Sequence, residues 1–514
     1  MTIQSFPSEC IRNIILYLED DRKSLYSCLR VNRFWCRNSV PILWKRPFEK
    51  RITKKGGKII QVYLASLNDQ EKTILIENEI NISTLNRPLF DYSVFLENLK
   101  YRYYIGAVIY WVMAYNKHKN IRSKQKHQIR LITTALYKLF MRKCINLKSM
   151  AIETKKYCLE FPELSTFNTF NSVDPGLTKL TKFIYHVRFH FDSNFLTQTI
   201  QFIDTFSNFC TSLKYLEVML ITFPGECIVA EAISNIIRAQ THLEEIRILC
   251  SGNFGAHIIP AIEYQSNNLI SIQINVVRLD GVTLEVLSTC EKLENLSLGF
   301  DDVLKMENIK YLLCSNIHLK KLNILCLERI PSEVVCSMIH KGGNTLQYLW
   351  LCFITPEIVN LTIKSCSNLI SLTIDISTAD EQQLCKLISS YKLKDLTIYG
   401  AGEGFGGILA SIKDSLPMNL SYLHIDLRFS YRELEHFLKD LEIPLKTLIL
   451  DKNVIFDYFY LAVMMIYLER KKTLRYLGVA WGSKFGEECL ESILRRLNDE
   501  FCVHAVSCKE LDGW

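Results

Sequence analysis

Three glycines at 402, 404 and 407 reproduce the spacing G-x-G-x-x-G, which lets a backbone turn tightly and approach a pyrophosphate. A strand-like run from Leu396 to Tyr399 precedes them, a helix-like run from Ile408 to Asp414 follows, and Asp426 ends the next strand-like run 19 residues after the third glycine. That is the setting a dinucleotide site asks for. The flanking runs argue against it. They alternate apolar and polar residues, whereas the strands of a doubly wound sheet are buried on both faces and read as continuous apolar stretches. They also fall in phase with similar runs on either side, so the other strands of such a sheet have nowhere to go. His186 and His190 share one side of a strand-like segment, but two imidazoles without a third ligand are weak evidence for zinc. None of the 18 cysteines forms a C-x-x-C pair. No G-x-S-x-G, P-loop or H-E-x-x-H pattern occurs. The residues therefore predict a protein that is not an enzyme, with no catalytic residue, no cofactor and no metal.

Charge is unevenly distributed. The formal net charge is +7, yet from Asn98 to Ile152 there are twelve Lys and Arg and no Asp or Glu. Outside that stretch 49 basic residues stand against 54 acidic ones. The run 116–130 could neutralise phosphates. It lacks the interleaved aromatics of a stacking platform, which argues for a solvated basic helix or loop and against nucleic acid. The longest uncharged apolar run, Tyr103 to Tyr115, has 13 residues. At about 1.5 Å per residue it is too short for a bilayer and reads as a buried helix. No signal peptide is apparent at the start. The expectation is a soluble protein of the cytoplasm or nucleus with reduced thiols and no membrane partner.

The elements that must position everything are repeats. The pattern L-x-x-L-x-L, with other apolar residues allowed, recurs from Leu213/Leu216/Val218 through Leu474/Leu477/Val479 in eleven copies, whose first positions lie 23 to 30 residues apart. Leu147/Met150/Ile152 and Leu180/Phe183/Tyr185 extend the series upstream. Alternation buries one face of a short strand, and the intervening residues suffice for one helix, such as Glu357 to Ser365 or Arg432 to Leu441. A period of about 20 to 29 residues is that of leucine-rich repeats, whose units stack because none covers its own apolar edge. Several cysteines (144, 210, 290 and 366) fall at repeat junctions, where a free thiol acts as a small hydrophobe. The irregular spacing and the junction cysteines resemble the leucine-rich repeats attached to F-box proteins. The expected fold class is α/β: a horseshoe solenoid with a parallel β-ribbon and outer helices over residues 144–514, preceded by a small all-α module.

That module is residues 1–48. Ile11, Ile14, Ile15 and Leu18 lie at i, i+3, i+4 and i+7, one face of a helix. Pro7 and Glu9 suit its first turn. An Asp of the run 19–21 can cap the next helix, which carries Leu25, Cys28 and Leu29; Val31, Phe34 and Trp35 begin a third. So short a segment buries little by itself and reads as sharing its surface with a partner. It resembles the F-box, on Phe6-Pro7, Glu9, Ile11, Ile14, Tyr17-Leu18, Val31, Arg33, Trp35 and Leu43-Trp44, with Phe6 where that family has Leu. The resemblance implies that the module docks a Skp-type adaptor joined to a cullin complex, a ligase that ubiquitinates whatever the repeats hold. It implies adaptor contacts at Phe6, Pro7, Ile11, Ile14, Ile15, Leu18, Leu29, Val31 and Trp35. The alternative is a repeat scaffold that never meets a cullin. Residues 49–143 read as a helical linker and solenoid cap, with a turn at Asn68-Asp69.

In a horseshoe the residues between the strand leucines face the concave side. This places Tyr215, Arg247, Tyr348, Trp350, Tyr399, Tyr422, His424 and Asp426 on one surface for a protein substrate, together with Glu217, Glu245, Thr373, Asp375 and Asp395. Large aromatics there are the usual anchors of protein interfaces.

Overall fold

The computed structural model describes residues 7–49, 57–82, 85–116, 123–154, 176–188, 193–221, 226–250, 254–276, 284–300, 304–326, 330–377, 380–400, 406–439, 441–450, 458–479 and 504–507. The chain forms two compact units, Met1–Leu269 with Arg278–Val282, and Ile270–Val277 with Thr283–Trp514. Residues 1–48 and 49–143 both lie in the first, and the repeats are divided between the two.

The first unit opens with three short helices, α1 (Ser8–Tyr17), α2 (Arg22–Cys28) and α3 (Arg33–Leu43). Their starts are local chemistry. Pro7 sits at the N-cap of α1, the Asp21 carboxylate accepts from the Lys23 and Ser24 backbone N–H groups, and the Asn32 side chain accepts from Trp35 N–H. Ile11, Ile15 and Leu25 form a small core, with Leu18, Trp35, Ile42 and Leu43 packed on it. Four further helices follow: α4 (Gly57–Ala65), α5 (Asp69–Glu77), α6 (Tyr101–Asn116) and α7 (Ser123–Lys143). The expected turn at Asn68-Asp69 is a capping box, in which Asn68 accepts from Glu71 N–H and Glu71 accepts from Asn68 N–H. The apolar run 103–115 is inside α6, and no described helix is long and apolar enough to cross a membrane.

Five parallel strands run through the described part of this unit, with further helices at Ser193–Phe209, Glu226–Ala239 and Phe254–Ile258: β1 (Asn98–Lys100), β2 (Ser149–Thr154), β3 (Lys182–Arg188), β4 (Tyr215–Ile221) and β5 (Glu245–Cys250). Leu99, Met150, Phe183, Leu216 and Ile246 stand in one register row, and all are buried. β1 precedes the first repeat expected from the sequence and falls inside the segment read as helical linker. Its pattern is Leu96-x-x-Leu99-x-Tyr101, with Tyr101 buried at the third apolar position.

The second unit holds ten parallel strands among its described residues. These are β6 (Ser271–Val276), β7 (Asn295–Phe300), β8 (Lys321–Cys326), β9 (Tyr348–Leu351), β10 (Ser371–Asp375), β11 (Asp395–Tyr399), β12 (Tyr422–Asp426), β13 (Thr447–Leu450), β14 (Tyr476–Val479) and β15 (His504–Ser507). Ile272, Leu296, Leu322, Leu349, Leu372, Leu396, Leu423, Leu448 and Leu477 align in one row. A strand paired to two neighbours leaves no backbone edge, and the row hides one face of the ribbon from water. Helices lie between strands where the sequence requires them, at Pro356–Ser365 and Tyr431–Lys439 for example. In both units every strand expected from L-x-x-L-x-L is present, which makes this a leucine-rich-repeat architecture on the chain's own geometry.

Candidate protein-interaction surfaces

The helical module sorts its apolar residues into two sets. Ile11 and Ile15 point inward and are buried, so they hold the module together; Leu18, Leu29 and Trp35 are half-buried. Pro7, Ile14 and Val31 are exposed, and so are Tyr17, Tyr26 and Phe34, which the sequence reading did not assign to the adaptor. Tyr17 is 92% exposed. Its spacing of three from Ile14 was the signal available. Phe6 lies outside the described residues.

The end of the module is bonded into the repeat ribbon. The Lys45 carbonyl accepts from Glu97 N–H at 2.9 Å and Asn98 N–H at 3.1 Å. The Glu97 carbonyl accepts from Lys148 and Ser149 in the same way one strand later. Trp44 packs on Tyr63 and Tyr92 at 5.3 and 4.2 Å between ring centroids, and Phe48 is buried among Tyr63, Tyr104 and Phe140. Burial of such rings is a large contribution, because each hides an area of about 150–250 Å².

The basic segment finds its acids on neighbouring elements. Arg142 donates two bonds to Glu71, at 2.8 and 3.1 Å, and Lys143 meets Asp91 at 2.7 Å. Lys124 pairs with Glu79, Lys148 with Glu97, and Arg102 with Glu153. Acid-free in sequence, the segment has five of its twelve cations paired with acids in space among the described residues. Residues 117–122 of its central run lie outside the described residues.

On the ribbon, strand alternation leaves every second side chain facing away from the leucine rows. In the first unit Tyr215, Glu217, Glu245 and Arg247 occupy this face on β4 and β5, with Lys182 and His186 on β3. They satisfy one another. His186 Nε2 and Glu217 Oε1 are 2.7 Å apart, the Tyr215 hydroxyl donates to Glu217, and Arg247 Nε donates to Glu245 at 2.9 Å. Lys182 Nζ and the Arg247 guanidinium sit 4.1 and 5.4 Å from the Tyr215 ring centre. Burial raises the Glu217 carboxyl, but the His186 and Tyr215 bonds outweigh it and hold the group below its ordinary value. The Tyr215 hydroxyl is pushed well up by burial and by Glu217. His190, the other half of the sequence pair, lies outside the described residues. Among the described residues no group of three or more His, Cys, Asp and Glu is placed to hold a metal ion.

In the second unit the face carries Tyr348 and Trp350 on β9, Thr373 and Asp375 on β10, Asp395 and Tyr399 on β11, and Tyr422, His424 and Asp426 on β12. The structure thus gathers six of the eight concave-face candidates on β9, β11 and β12, with Tyr215 and Arg247 together on the first unit. Trp350 Nε1 donates to Tyr399 Oη at 2.6 Å, across the intervening β10, and the rings meet edge-on at 85°. Burial pushes the Tyr399 hydroxyl up to about 12.

The glycine motif is placed by the same alternation. β11 and β12, before and after it, are each buried on one face only. Gly402 and Gly404 lie outside the described residues. A Cβ at Gly407 would meet nothing within 4 Å, so no close helix approach requires glycine there. The junction cysteines 144, 210, 290 and 366 are buried, and among the described residues all are free thiols. Burial raises Cys210 to about 12 and Cys290 and Cys366 to about 11, which keeps them unreactive at neutral pH.

No family model matches the chain, and no curated protein matches it. Among solved structures, the leucine-rich-repeat-containing protein LegL7 from Legionella pneumophila is similar over 68% of this chain and 98% of that chain, at 13% identity and a TM-score of 0.34. At that degree of likeness, the repeat character rests on this chain's own strands and leucine rows.

Proposed function

We propose that this protein is a non-catalytic substrate receptor of a Skp–cullin–F-box ubiquitin ligase. Its N-terminal helices dock a Skp-type adaptor, and its repeats hold a protein for ubiquitination in the cytoplasm or nucleus. The observation that carries the reading is the outward apolar set of the module. Pro7, Ile14, Tyr17, Tyr26, Val31 and Phe34 stay exposed although Ile11, Ile15 and Leu25 already supply a core. Exposed apolar residues on so small a module favour a partner that covers them. The resemblance to the F-box names that partner, and the Lys45 bonds to the ribbon would transmit the adaptor's position to the first repeats.

The test is capture of a recombinant Skp-type adaptor by the tagged full chain. Ile14→Asp with Val31→Asp is expected to abolish capture while leaving the melting temperature within about 2 °C, since both side chains are on the surface. Ile15→Asp is the contrasting variant: it buries a charge and unfolds the module. Failure of the wild-type chain to bind the adaptor leaves the repeat-scaffold alternative standing.

A further inference from the structure

The two ribbon faces treat charge differently. In the first unit, bases and acids on β3, β4 and β5 pair with each other. In the second, the strands β9 to β14 contain three aspartates and no Lys or Arg. No ion pair joins Asp375 or Asp395 to a cation among the described residues; Asp375 accepts from Ser377 N–H, at 2.8 Å. Asp395 is half-buried, and the loss of hydration raises its carboxyl above the ordinary value despite the neighbouring Lys394 charge. A half-buried carboxylate with no ion-pair partner among the described residues costs folding stability, so its presence points to use elsewhere.

The surroundings suit a cation. Trp350 and Tyr399 are locked edge to face by their hydrogen bond, so little side-chain entropy remains to be lost on binding. Indole and phenol faces attract ammonium and guanidinium groups. Thr373 and Thr397 between them are small and keep the floor low. Asp395 begins β11, whereas Asp375 pairs with Tyr399 at its end, four residues on. At about 3.3 Å per residue the two carboxylates are separated by roughly 13 Å along the strand direction, the reach of two side chains four apart in an extended peptide.

We propose that the outward face of β9 to β12 docks an extended, basic peptide segment of another protein, its cationic side chains seated on Trp350, Tyr399, Asp375 and Asp395. This names the substrate class for the receptor reading above and rests on it. Lys394 and Lys446 stand exposed just before β11 and β13, at the margin of the face, and would serve an acidic segment instead. The test therefore compares both signs.

The probes are fluorescein-labelled peptides of three Arg-Gly-Ser-Gly repeats and of three Asp-Gly-Ser-Gly repeats, titrated with the full chain and read by anisotropy. The arginine peptide is expected to bind, more weakly as salt is raised, and the aspartate peptide not to bind. Asp375→Asn with Asp395→Asn is expected to weaken binding roughly tenfold or more. Trp350→Phe is expected to weaken it less than Trp350→Ala. Asp395→Asn alone should leave the melting temperature unchanged or raise it, whereas an acid kept for structure would lower it. Preference for the aspartate peptide, no binding of the arginine peptide, or binding indifferent to the double variant overturns the proposal. Adaptor capture is scored on the same samples. Its loss with peptide binding intact ends the receptor reading alone, and the reverse ends only the basic-peptide proposal.

Discussion

Glu217 and Asp395 both face away from the leucine rows, and their surroundings shift the two carboxyls in opposite directions. For Glu217, desolvation is outweighed by bonds from His186 and Tyr215, so its folded value lies below the unfolded one. The stability it contributes is present above the unfolded value and is lost as pH falls through the folded value. Glu217→Ala is expected to cost about 1–2 kcal/mol at neutral pH and to flatten the acid limb of a stability profile, measured by urea unfolding at a series of pH values. Asp395 is the reverse case. Its folded value is raised, so stability is greatest when the group is protonated and declines as pH rises through that value. In sequence both are acids beside an apolar position of the same motif. What separates them is which hydrogen-bond partner lies on the adjacent strand, 31 residues away for His186 and Glu217.

At the scale of elements, the strands obey a two-residue alternation and the helices begin at chemically readable caps. Two strands escaped that pattern. The β1 repeat closes on Tyr101, where α6 begins at once, so its third apolar position reads as the start of a helix. In β15 the position aligned with Leu477 is Ala505, too small to signal a buried row. The junctions hold a further device, buried glutamines. Gln240 accepts from Leu213 N–H at 2.9 Å and donates to the Cys210 and Ile236 carbonyls at 2.7 and 2.8 Å, and Gln265 donates to the Ile237 and Gln240 carbonyls. Gln240 stands three residues before Leu243, the place that Cys144 and Cys210 take in the preceding repeats. Gln240→Ala strands three buried backbone groups and is expected to cost about 2–4 kcal/mol, as judged by thermal and urea melts. Gln240→Glu, which keeps the shape but has to bury a carboxyl, should be comparably destabilising.

For the molecule as a whole, repeats touch their neighbours and little else, so damage should spread along the ribbon before it reaches distant strands. Leu396→Ala removes one member of a buried row and is expected to cost about 3 kcal/mol. Hydrogen exchange should then quicken first in β10, β11 and β12, while β2 to β4 in the other unit keep their protection. Equal loss of protection in both units would mean that they unfold as one body. By itself the sequence determined thirteen of the fifteen described strands, which side of each is buried, and the starts of the first two N-terminal helices, because alternation and capping are properties of neighbours in the chain; it began the third helix at Val31, whereas α3 starts at Arg33 behind an Asn32 cap. It did not determine that Ile11 and Ile15 turn inward while Ile14 and Val31 stay out, since several helical faces are compatible with that spacing. Nor did it show that Arg142, Lys124 and Lys143 of the basic stretch pair with Glu71, Glu79 and Asp91, or that Trp350 reaches Tyr399, 49 residues on. Those pairings depend on strand register and helix packing, which bring together residues far apart in the chain, and only the tertiary structure decided them.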